Sequence, residues 1–487
     1  MNAKVSYTES VLSFFKEICK VPRPSKHEEK MILFLKQFAA LHHLDCQTDK
    51  AGNVLITKKA SLGMETAPGV ILQAHMDMVP DKAPGVEHDF LKDPIQTQEM
   101  DGWLMAKGTT LGADNGIGIA AALACLADED LRHGPLECLF TTDEETGLTG
   151  AFQIQEKWLK GKYLLNLDSE DEGEIFIGCA GGMDTLGKLT PKIQETPSGL
   201  YHCRLTVTGL KGGHSGDDID KGRGNAIQIL FRLLNAIDEK TPVLLTDVEG
   251  GNLRNAIAHT AWATIAIKEE DRHEARLMVN ILSSLIQDEL QKSDPSLEVI
   301  LESCPKVSKC WSRDDYHRLK DLVMAMPHGV MAMSQDVMGL VETSTNLASL
   351  KMQEDGTLLL STSQRSSVES AKQFTAQRVA AVLRMAGCQV WHTDGYPGWK
   401  PAPSSRLLEL TVSSYKSLFR KEPKVKAIHA GLECGLFLER YPHLEMVSFG
   451  PTLRDVHTPK ERMLLETVPL FCAHLTDLLE RIGEETA

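Results

Sequence analysis

The sequence has no Cys-x-x-Cys pair, no basic cluster and no long uncharged run, and each absence excludes a class of protein. Its 11 cysteines are scattered and odd in number, so neither a disulfide framework nor a thiolate zinc site is predicted. Acidic side chains outnumber basic ones by 67 to 52, and the net charge of -15 opposes binding to nucleic acid. The uncharged stretches fall short of the roughly 20 residues that a membrane span needs.

The N-terminal stretch also lacks the features of a signal peptide, because charged residues interrupt its apolar part and no small-residue cleavage site follows. It reads instead as a first amphipathic helix. We therefore predict a cytoplasmic protein whose partners include neither nucleic acid nor a membrane.

The chain is long enough for two domains, since 487 residues exceed what one hydrophobic core usually organises. Residues 1–186 alternate short apolar runs with helical patterns, which predicts an α/β domain, and the stretch "CAGGMDT" breaks that pattern. Residues 187–393 resemble half-exposed strands with longer helices, which is typical of an α+β domain. Residues 394–487 again show the pattern of residues 1–186. We therefore interpret the middle segment as an insertion in a discontinuous first domain.

Histidine and carboxylate side chains end the predicted strands of the α/β domain or precede its buried helix. In open α/β sheets, functional residues collect at the carboxyl ends of strands. Two histidines with several carboxylates and no thiolate suit a pair of divalent ions, zinc or a close substitute such as cobalt or manganese. These residues are His75, Asp77, Asp114, Glu144, Glu145, Asp168 and His457.

Two pairs in this set suggest a division of roles. His75 and Asp77 are two positions apart on an extended strand, so Asp77 can accept the second ring N–H of His75. Glu144 and Glu145 are neighbours, and on an extended segment they would point apart. One can then bind metal while the other stays free as general acid and base.

Several motifs in order resemble the M20 family of metallopeptidases over essentially the whole chain. The resemblance implies an α/β catalytic domain with a mixed central sheet flanked by helices, plus an inserted α+β lid domain. It also implies hydrolysis of unblocked dipeptides, including Xaa-His substrates such as carnosine, by a metal-activated water. The motifs are "AHMDMVP", "GTTLGADNGIG", "TTDEETG", "LLNLDSEDEGEIFIGCAGG", "KGGHSG", "HAGLECG" and "DVHTP".

The resemblance divides the metal ligands between two ions. It implies His75 and Asp168 on one ion, Glu145 and His457 on the other, and Asp114 as the bridge. It further implies Asp77 as the residue behind His75 and Glu144 as the general base. Asn115 stands where many relatives carry Asp, and we interpret this as a subgroup feature.

On the substrate side the resemblance adds residues that the local sequence leaves ambiguous. His214 resembles the lid histidine that stabilises the oxyanion, although alone it reads equally well as a surface histidine in a Gly-rich turn. Asn255 and Arg365 resemble substrate-holding positions, the arginine being suited to a C-terminal carboxylate. Gly431 and Gly435 would allow close approach of backbone to substrate, or form a simple strand-to-helix turn. A homodimer is also implied.

Three alternatives remain at this stage. The same ligands and base would serve an amidohydrolase that removes the acyl group of N-acyl amino acids. A cysteine hydrolase could pair Cys434 with His429, but no orienting partner is evident. A silent binding protein that keeps the fold would lack a ligand or the base, and every such position is filled.

Overall fold

The computed structural model describes residues 6–485, and the contacts among its residues divide the chain into two units. Unit 1 comprises the chain up to Gly178, Trp399–Ala427 and the chain from Leu432 onward. Unit 2 comprises Cys179–Gly398 and Ile428–Gly431. The roles of catalytic and lid domain remain predictions for these units. No helix in the described range is long and apolar enough to cross a membrane.

The described residues form α-helices and β-strands that we number in chain order. The helices are α1 Tyr7–Ile18, α2 Glu29–Leu41, α3 Ala113–Ala127, α4 Glu144–Gly147, α5 Thr149–Phe152, α6 Ala226–Asp238, α7 Arg272–Glu289, α8 Arg313–Ala325, α9 Glu369–Met385, α10 Arg406–Phe419, α11 Cys434–Arg440 and α12 Val468–Gly483. The strands are β1 Asp45–Thr48, β2 Val54–Lys58, β3 Val70–His75, β4 Thr97–Met100, β5 Trp103–Ala106, β6 Leu136–Thr141, β7 Tyr163–Asn166, β8 Glu174–Cys179, β9 Gly181–Leu189, β10 Ile193–Glu195, β11 Leu200–Thr208, β12 Leu244–Gly250, β13 Ala261–Lys268, β14 Glu298–Ser303, β15 Lys309–Trp311, β16 Gly329–Met333, β17 Val341–Met352, β18 Leu358–Ser366, β19 Gln389–His392, β20 Lys424–Ile428, β21 Glu445–Ser448, β22 Leu453–Arg454 and β23 Arg462–Leu464.

Unit 1 is built on a mixed eight-stranded sheet in the order β1-β2-β6-β3-β7-β21-β8-β20. Strands β6, β3, β7 and β21 run parallel, whereas β2 and β8 are antiparallel to their neighbours in this central group. Every residue of β3, β6 and β7 is buried, as the continuous apolar runs predicted. The predicted α/β fold with a mixed sheet and flanking helices is confirmed. In the register of β3 with β6, His75 lies opposite Thr141, so the carboxyl ends of these strands meet.

Helix α3 brings Asp114 to the same edge of the sheet. The helix is apolar on nearly all sides, and each residue from Gly116 to Leu126 is buried, as the small and apolar composition predicted. Asp114 lies in its first turn with backbone angles that are not helical. The burial of α3 fixes the position of the helix, and the Asp114 carboxylate projects from its first turn.

Unit 2 contains a nine-stranded antiparallel sheet in the order β14-β11-β13-β12-β17-β18-β9-β19, with β16 paired to β17. The stretch "CAGGMDT", at which the sequence pattern changes, runs from the end of β8 into β9, and unit 2 begins at Cys179. Its glycines allow the backbone of residues 396–398 to pack closely against β9. A Cβ atom on Gly181 would lie 2.4 Å from the amide nitrogen of Gly398, and one on Gly182 would lie 2.7 Å from the Tyr396 ring.

A buried histidine in unit 1 makes stability depend on pH. His474 packs against Phe449 and Tyr415, and its Nε2 lies 3.0 Å from the carbonyl oxygen of Thr411. Burial lowers the pKa of His474 from 6.5 to about 4. Between these values the unfolded chain binds the proton more readily than the folded chain does. The neutral His474 therefore contributes its full share to the free energy of unfolding above pH 6.5, and this share is lost as the pH falls toward 4.

We expect the His474→Gln variant to lose this part of the pH dependence. Lowering the pH from 7 to 5 should cost the parent protein about 2 kcal/mol more free energy of unfolding than it costs the variant. Urea denaturation at both pH values measures the difference. If both proteins lost the same free energy of unfolding, His474 would be protonated in the folded state at pH 5.

Candidate metal centre

Two groups of histidine and carboxylate side chains converge at the carboxyl edge of the unit 1 sheet. His75 Nε2 lies 2.9 Å from Asp114 Oδ1 and 3.4 Å from Asp168 Oδ1. His457 Nε2 lies 3.0 Å from Asp114 Oδ2 and 2.9 Å from Glu145 Oε2. The two oxygens of Asp114 thus face one histidine each. This is the geometry in which one carboxylate can bridge two ions.

The donor atoms of the centre fit divalent cations. Within each of the groups His75–Asp114–Asp168 and Asp114–Glu145–His457, one ligand atom per residue lies within 4.8 Å of the others. Glu145 Oε1 and Asp168 Oδ1 are buried and have no full hydrogen bond from any described residue. Buried carboxylate oxygens need a partner, and a divalent ion held with imidazole nitrogens supplies one. One ligand atom from each of His75, Glu144 and Glu145 also lies within 4.8 Å of the others.

The electrostatics of the centre also favour bound cations. Burial lowers the pKa of His75, but the carboxylates of Asp168 and Asp114 outweigh burial and raise it well above its usual value. Burial raises the pKa of Asp168 to about 7. Burial likewise raises the pKa of Glu144 well above its usual value, and neighbouring carboxylates raise it further. The site thus holds more carboxylates than its histidines neutralise, and cations would offset the excess negative charge.

Asp77 has more contacts than the sequence predicted. Its Oδ1 lies 3.3 Å from His75 Nδ1, without the alignment of a full hydrogen bond. The same carboxylate accepts the backbone N–H groups of Glu144 and Glu145 at 3.0 and 3.2 Å and the hydroxyl of Ser25 at 2.8 Å. Asp77 therefore joins the end of β3 to the segment that carries the two glutamates.

The expectation that Glu144 and Glu145 lie on an extended segment is wrong. They form the first turn of the short helix α4, which begins after Asp143 in a left-handed conformation with φ of 51°. The hydroxyls of Thr146 and Thr149 donate to the Asp143 carboxylate, and Asp77 accepts the two N–H groups that open the turn. These contacts turn the chain immediately after β6. The two side chains still diverge, because neighbours on a helix lie about 100° apart.

Asn115 is buried and faces the segment that carries Asp168. Its Nδ2 donates to the carbonyl oxygen of Leu167 at 2.7 Å. A Cβ atom on Gly118 would lie 2.5 Å from Asn115 Oδ1, so a glycine is needed one turn along α3. The side chain at this position contacts the backbone beside a candidate ligand.

In unit 2, His214 and Arg365 lie together. The Nη2 atom of Arg365 is 3.4 Å from His214 Nε2, and its Nη1 donates to the Tyr396 hydroxyl at 3.0 Å. Backbone N–H groups of Gly216 and Asp217 point to His214 Nδ1 at 3.3 and 3.2 Å. Sequence reasoning missed Tyr396, because nothing in "DGYPGW" marks it.

The other predicted substrate residues differ in their surroundings. Asn255 is exposed, and its carbonyl oxygen accepts the N–H of Ser215 next to His214. Gly431 lies beside Tyr396, whose ring would be 2.9 Å from a Cβ atom placed on the glycine. Gly435 belongs to unit 1, is buried in α11 and donates its N–H to the Leu432 carbonyl. Its amide is therefore already paired.

The cysteine alternative gains no support from the surroundings of its histidine. His429 Nε2 lies 2.7 Å from the hydroxyl of Ser344, and both side chains are buried in unit 2. Cys434 is buried in α11 of unit 1. Burial lowers the pKa of His429 to about 4, so its imidazole is neutral.

Fold and centre together define an α/β protein whose histidine and carboxylate side chains could hold a pair of divalent cations. Residues 71–481 match the model of peptidase family M20/M25/M40, so the chain belongs to this family and is a hydrolase of peptide bonds. The cytosol non-specific dipeptidase of Escherichia coli K12 is 42% identical over 473 residues, which are 96% of each chain.

Solved structures agree with this assignment. The aminoacylhistidine dipeptidase of Vibrio alginolyticus superposes with a TM-score of 0.91 at 41% identity, covering 99% of this chain and 98% of that one. A tripeptidase from Staphylococcus aureus superposes with a TM-score of 0.58 at 15% identity over 99% of this chain and 100% of its own. The second likeness shows the fold alone.

Proposed function

We propose that this protein is a metal-dependent dipeptidase that hydrolyses the peptide bond of unblocked dipeptides, including Xaa-His substrates such as carnosine. The observation that carries the proposal is the Asp114 carboxylate facing His75 on one side and His457 on the other. The dipeptidases of Escherichia coli and Vibrio alginolyticus support the choice of substrate class.

His75 and Asp168 would hold one ion, Glu145 and His457 the other, and Asp114 would bridge them. When bound, a pair of divalent cations polarises a peptide carbonyl and acidifies a nearby water. We expect zinc, with cobalt or manganese as substitutes, because imidazole and carboxylate ligands suit these metals. The unpartnered oxygens of Glu145 and Asp168 support this ligand set.

Glu144 would act as the general base. Its carboxylate groups with His75 and Glu145 within 4.8 Å, so it lies beside the position where water and substrate would meet. Burial raises its pKa, and bound cations would lower it again, so the carboxylate would be ionised and able to accept a proton. Glu144 would take the proton of the attacking water and return it to the leaving amine, while Asp77 holds the backbone of the turn.

His214 would donate a hydrogen bond to the oxyanion of the tetrahedral intermediate. The backbone N–H groups at its Nδ1 leave Nε2 as the protonated ring nitrogen. Nε2 can then donate to the oxyanion.

Arg365 would bind the C-terminal carboxylate of the dipeptide, with Asn255 and Gly431 as further substrate contacts. Arg365 is buried, and the side chains nearest its guanidinium nitrogens, Ser215, Tyr396 and His214, carry no carboxylate. A buried guanidinium with no carboxylate in these contacts is suited to an anionic ligand.

We expect Arg365→Gln to raise KM for dipeptides by about 10- to 100-fold, the effect of losing a charge-assisted hydrogen-bonded pair of 1.5–3 kcal/mol. The same variant should cleave dipeptide amides, which lack the carboxylate, about as well as the parent does. Steady-state kinetics on Ala-His and its C-terminal amide measures both effects.

The matched control is Arg232→Gln, which removes a half-buried arginine of unit 2 that pairs with Glu289. Its kinetics should equal those of the parent. An equal loss on dipeptide and amide in Arg365→Gln would refute carboxylate recognition by this residue.

Other features of the proposal have indirect support. The name of the Escherichia coli relative favours the cytoplasm as location. A homodimer agrees with one face of α7 in unit 2, where Leu277, Ile281 and Leu285 are exposed at helical spacing. Light scattering would measure the oligomeric state. We also propose unit 1 as the catalytic domain and unit 2 as the lid.

A further inference from the structure

Glu461 is a buried carboxylate that the proposed reaction does not use. Its Oε2 accepts the backbone N–H groups of Leu111 and Gly112 at 2.8 and 2.9 Å. Its Oε1 accepts those of Ala113 and Asp114 at 2.8 and 3.2 Å. The side chain is 2% exposed. One carboxylate thus accepts four successive N–H groups, and those of Gly112, Ala113 and Asp114 belong to the start of α3, where the helix itself supplies no acceptors.

The same glutamate is tied to the segment that carries His457. Glu461 follows His457 by four residues, and its own N–H donates to the carbonyl of Thr458 at 3.0 Å. The Thr458 hydroxyl donates in turn to the carbonyl of Asp455 at 2.7 Å. His457 itself has φ of 61°, an unfavourable conformation that the surrounding turn must maintain. Glu461 therefore connects residues 111–114 to the turn that carries His457, and the side chains of Asp114 and His457 are in contact.

Arg23 holds residues 111–114 from the other direction. This buried guanidinium donates to the carbonyl of Gly112 at 2.5 Å and to those of Met76 and Asp77 at 2.9 and 2.6 Å. A Cβ atom on Gly112 would lie 2.7 Å from Arg23 Nη2, so only glycine leaves room for this contact. The segment is thereby joined to the end of β3 as well.

We propose that Glu461 is a positioning residue that sets the place of the Asp114 carboxylate relative to His457 and thereby determines metal affinity. The inference rests on the proposed metal centre and does not depend on which substrate is cleaved. Among the described residues, the Glu461 carboxylate accepts hydrogen bonds from backbone N–H groups and from no candidate ligand side chain. It acts through the backbone of Asp114 and through the turn that carries His457.

The test is zinc binding by Glu461→Gln. The substitution keeps the shape but turns one acceptor oxygen into an amide that opposes two backbone N–H groups. We expect about 10- to 100-fold weaker binding of at least one ion, the usual effect of removing an outer partner of a metal ligand. Titration of chelator-stripped protein with zinc against a competing chelator measures the affinities. Activity at saturating zinc should recover in part.

The matched control is Glu137→Gln. Glu137 is 8% exposed and accepts the N–H groups of Lys160 and Gly161 at 3.0–3.1 Å, at the end of β6 away from the centre. The Glu137→Gln variant should have a lower melting temperature than the parent protein and the same affinity for both zinc ions. Glu461→Asp, which keeps the charge with a shorter reach, should bind zinc with intermediate affinity and serves if the glutamine variant does not fold.

Parent affinity in both folded Glu461 variants would reduce the residue to a structural role and overturn the inference. Equal weakening in Glu137→Gln would do the same, since the effect would then follow general stability. A parent protein that binds no ion would refute the metal centre itself. A parent that binds two ions but cleaves no dipeptide would refute the proposed substrate class and still allow Glu461 to be judged.

Discussion

Replacing Glu144 by Gln is expected to lower kcat by about 10²- to 10⁴-fold, the usual contribution of a general base, without changing the metal content. The amide has nearly the shape of the carboxylate but cannot accept the proton of the attacking water. The backbone N–H of residue 144 would still donate to Asp77, so the turn should persist. Kinetics on Ala-His together with elemental analysis measures both quantities.

The control for this prediction is Glu156→Gln, which alters an exposed carboxylate of the same unit that pairs with Arg440. It should keep parent activity. Retained activity in Glu144→Gln would remove the base assignment. Loss of an ion together with activity would instead make Glu144 a ligand, a role that its grouping with His75 and Glu145 permits geometrically.

Replacing Asp114 by Asn is expected to remove at least one of two ions and to lower kcat/KM on the order of 10³-fold, equivalent to several kcal/mol of lost charge stabilisation. The parent side chain places one oxygen 2.9 Å from His75 Nε2 and the other 3.0 Å from His457 Nε2. An asparagine keeps one oxygen and presents an NH2 group to the other side, where it cannot bind a cation. Elemental analysis after dialysis counts the ions.

Asp128→Asn is the matched control, because Asp128 caps the far end of the same helix and accepts the N–H of Asp130. Its metal content and kinetics should match the parent. Two ions per chain in the dialysed Asp114→Asn protein would rule out a bridging carboxylate at this position.

The sequence predicted the ligand-bearing edge of the sheet because local rules determine it. Strands β3, β6 and β7 are short apolar runs, and polar residues lie at the end of each of them or within a few residues after it. Parallel pairing then brings these ends together whatever the rest of the chain does. The candidate ligands His75, Asp168 and Glu145 could be chosen for this reason.

Features that depend on distant contacts could not be predicted. The helical turn at Glu144 is fixed by Asp77, 67 residues earlier in the chain. The carboxylate of Glu461 meets Leu111 across 350 residues, and a lone glutamate after "HTPK" carries no local signal of that contact. Strand β9 was missed because Gly181 and Gly182 have low strand propensity, whereas their place is decided by close packing against residues 396–398.

The central claim is that a metal centre in this protein hydrolyses unblocked dipeptides. The most direct measurement is hydrolysis of carnosine, Ala-His, Gly-Gly, Leu-Gly-Gly and N-acetyl-histidine by chelator-stripped protein, before and after addition of zinc, cobalt or manganese. We predict no cleavage without metal and restored cleavage of the unblocked dipeptides alone. Metal-dependent cleavage of N-acetyl-histidine in their place would contradict the account and make the protein a deacylase, and full activity without metal would contradict the metal centre.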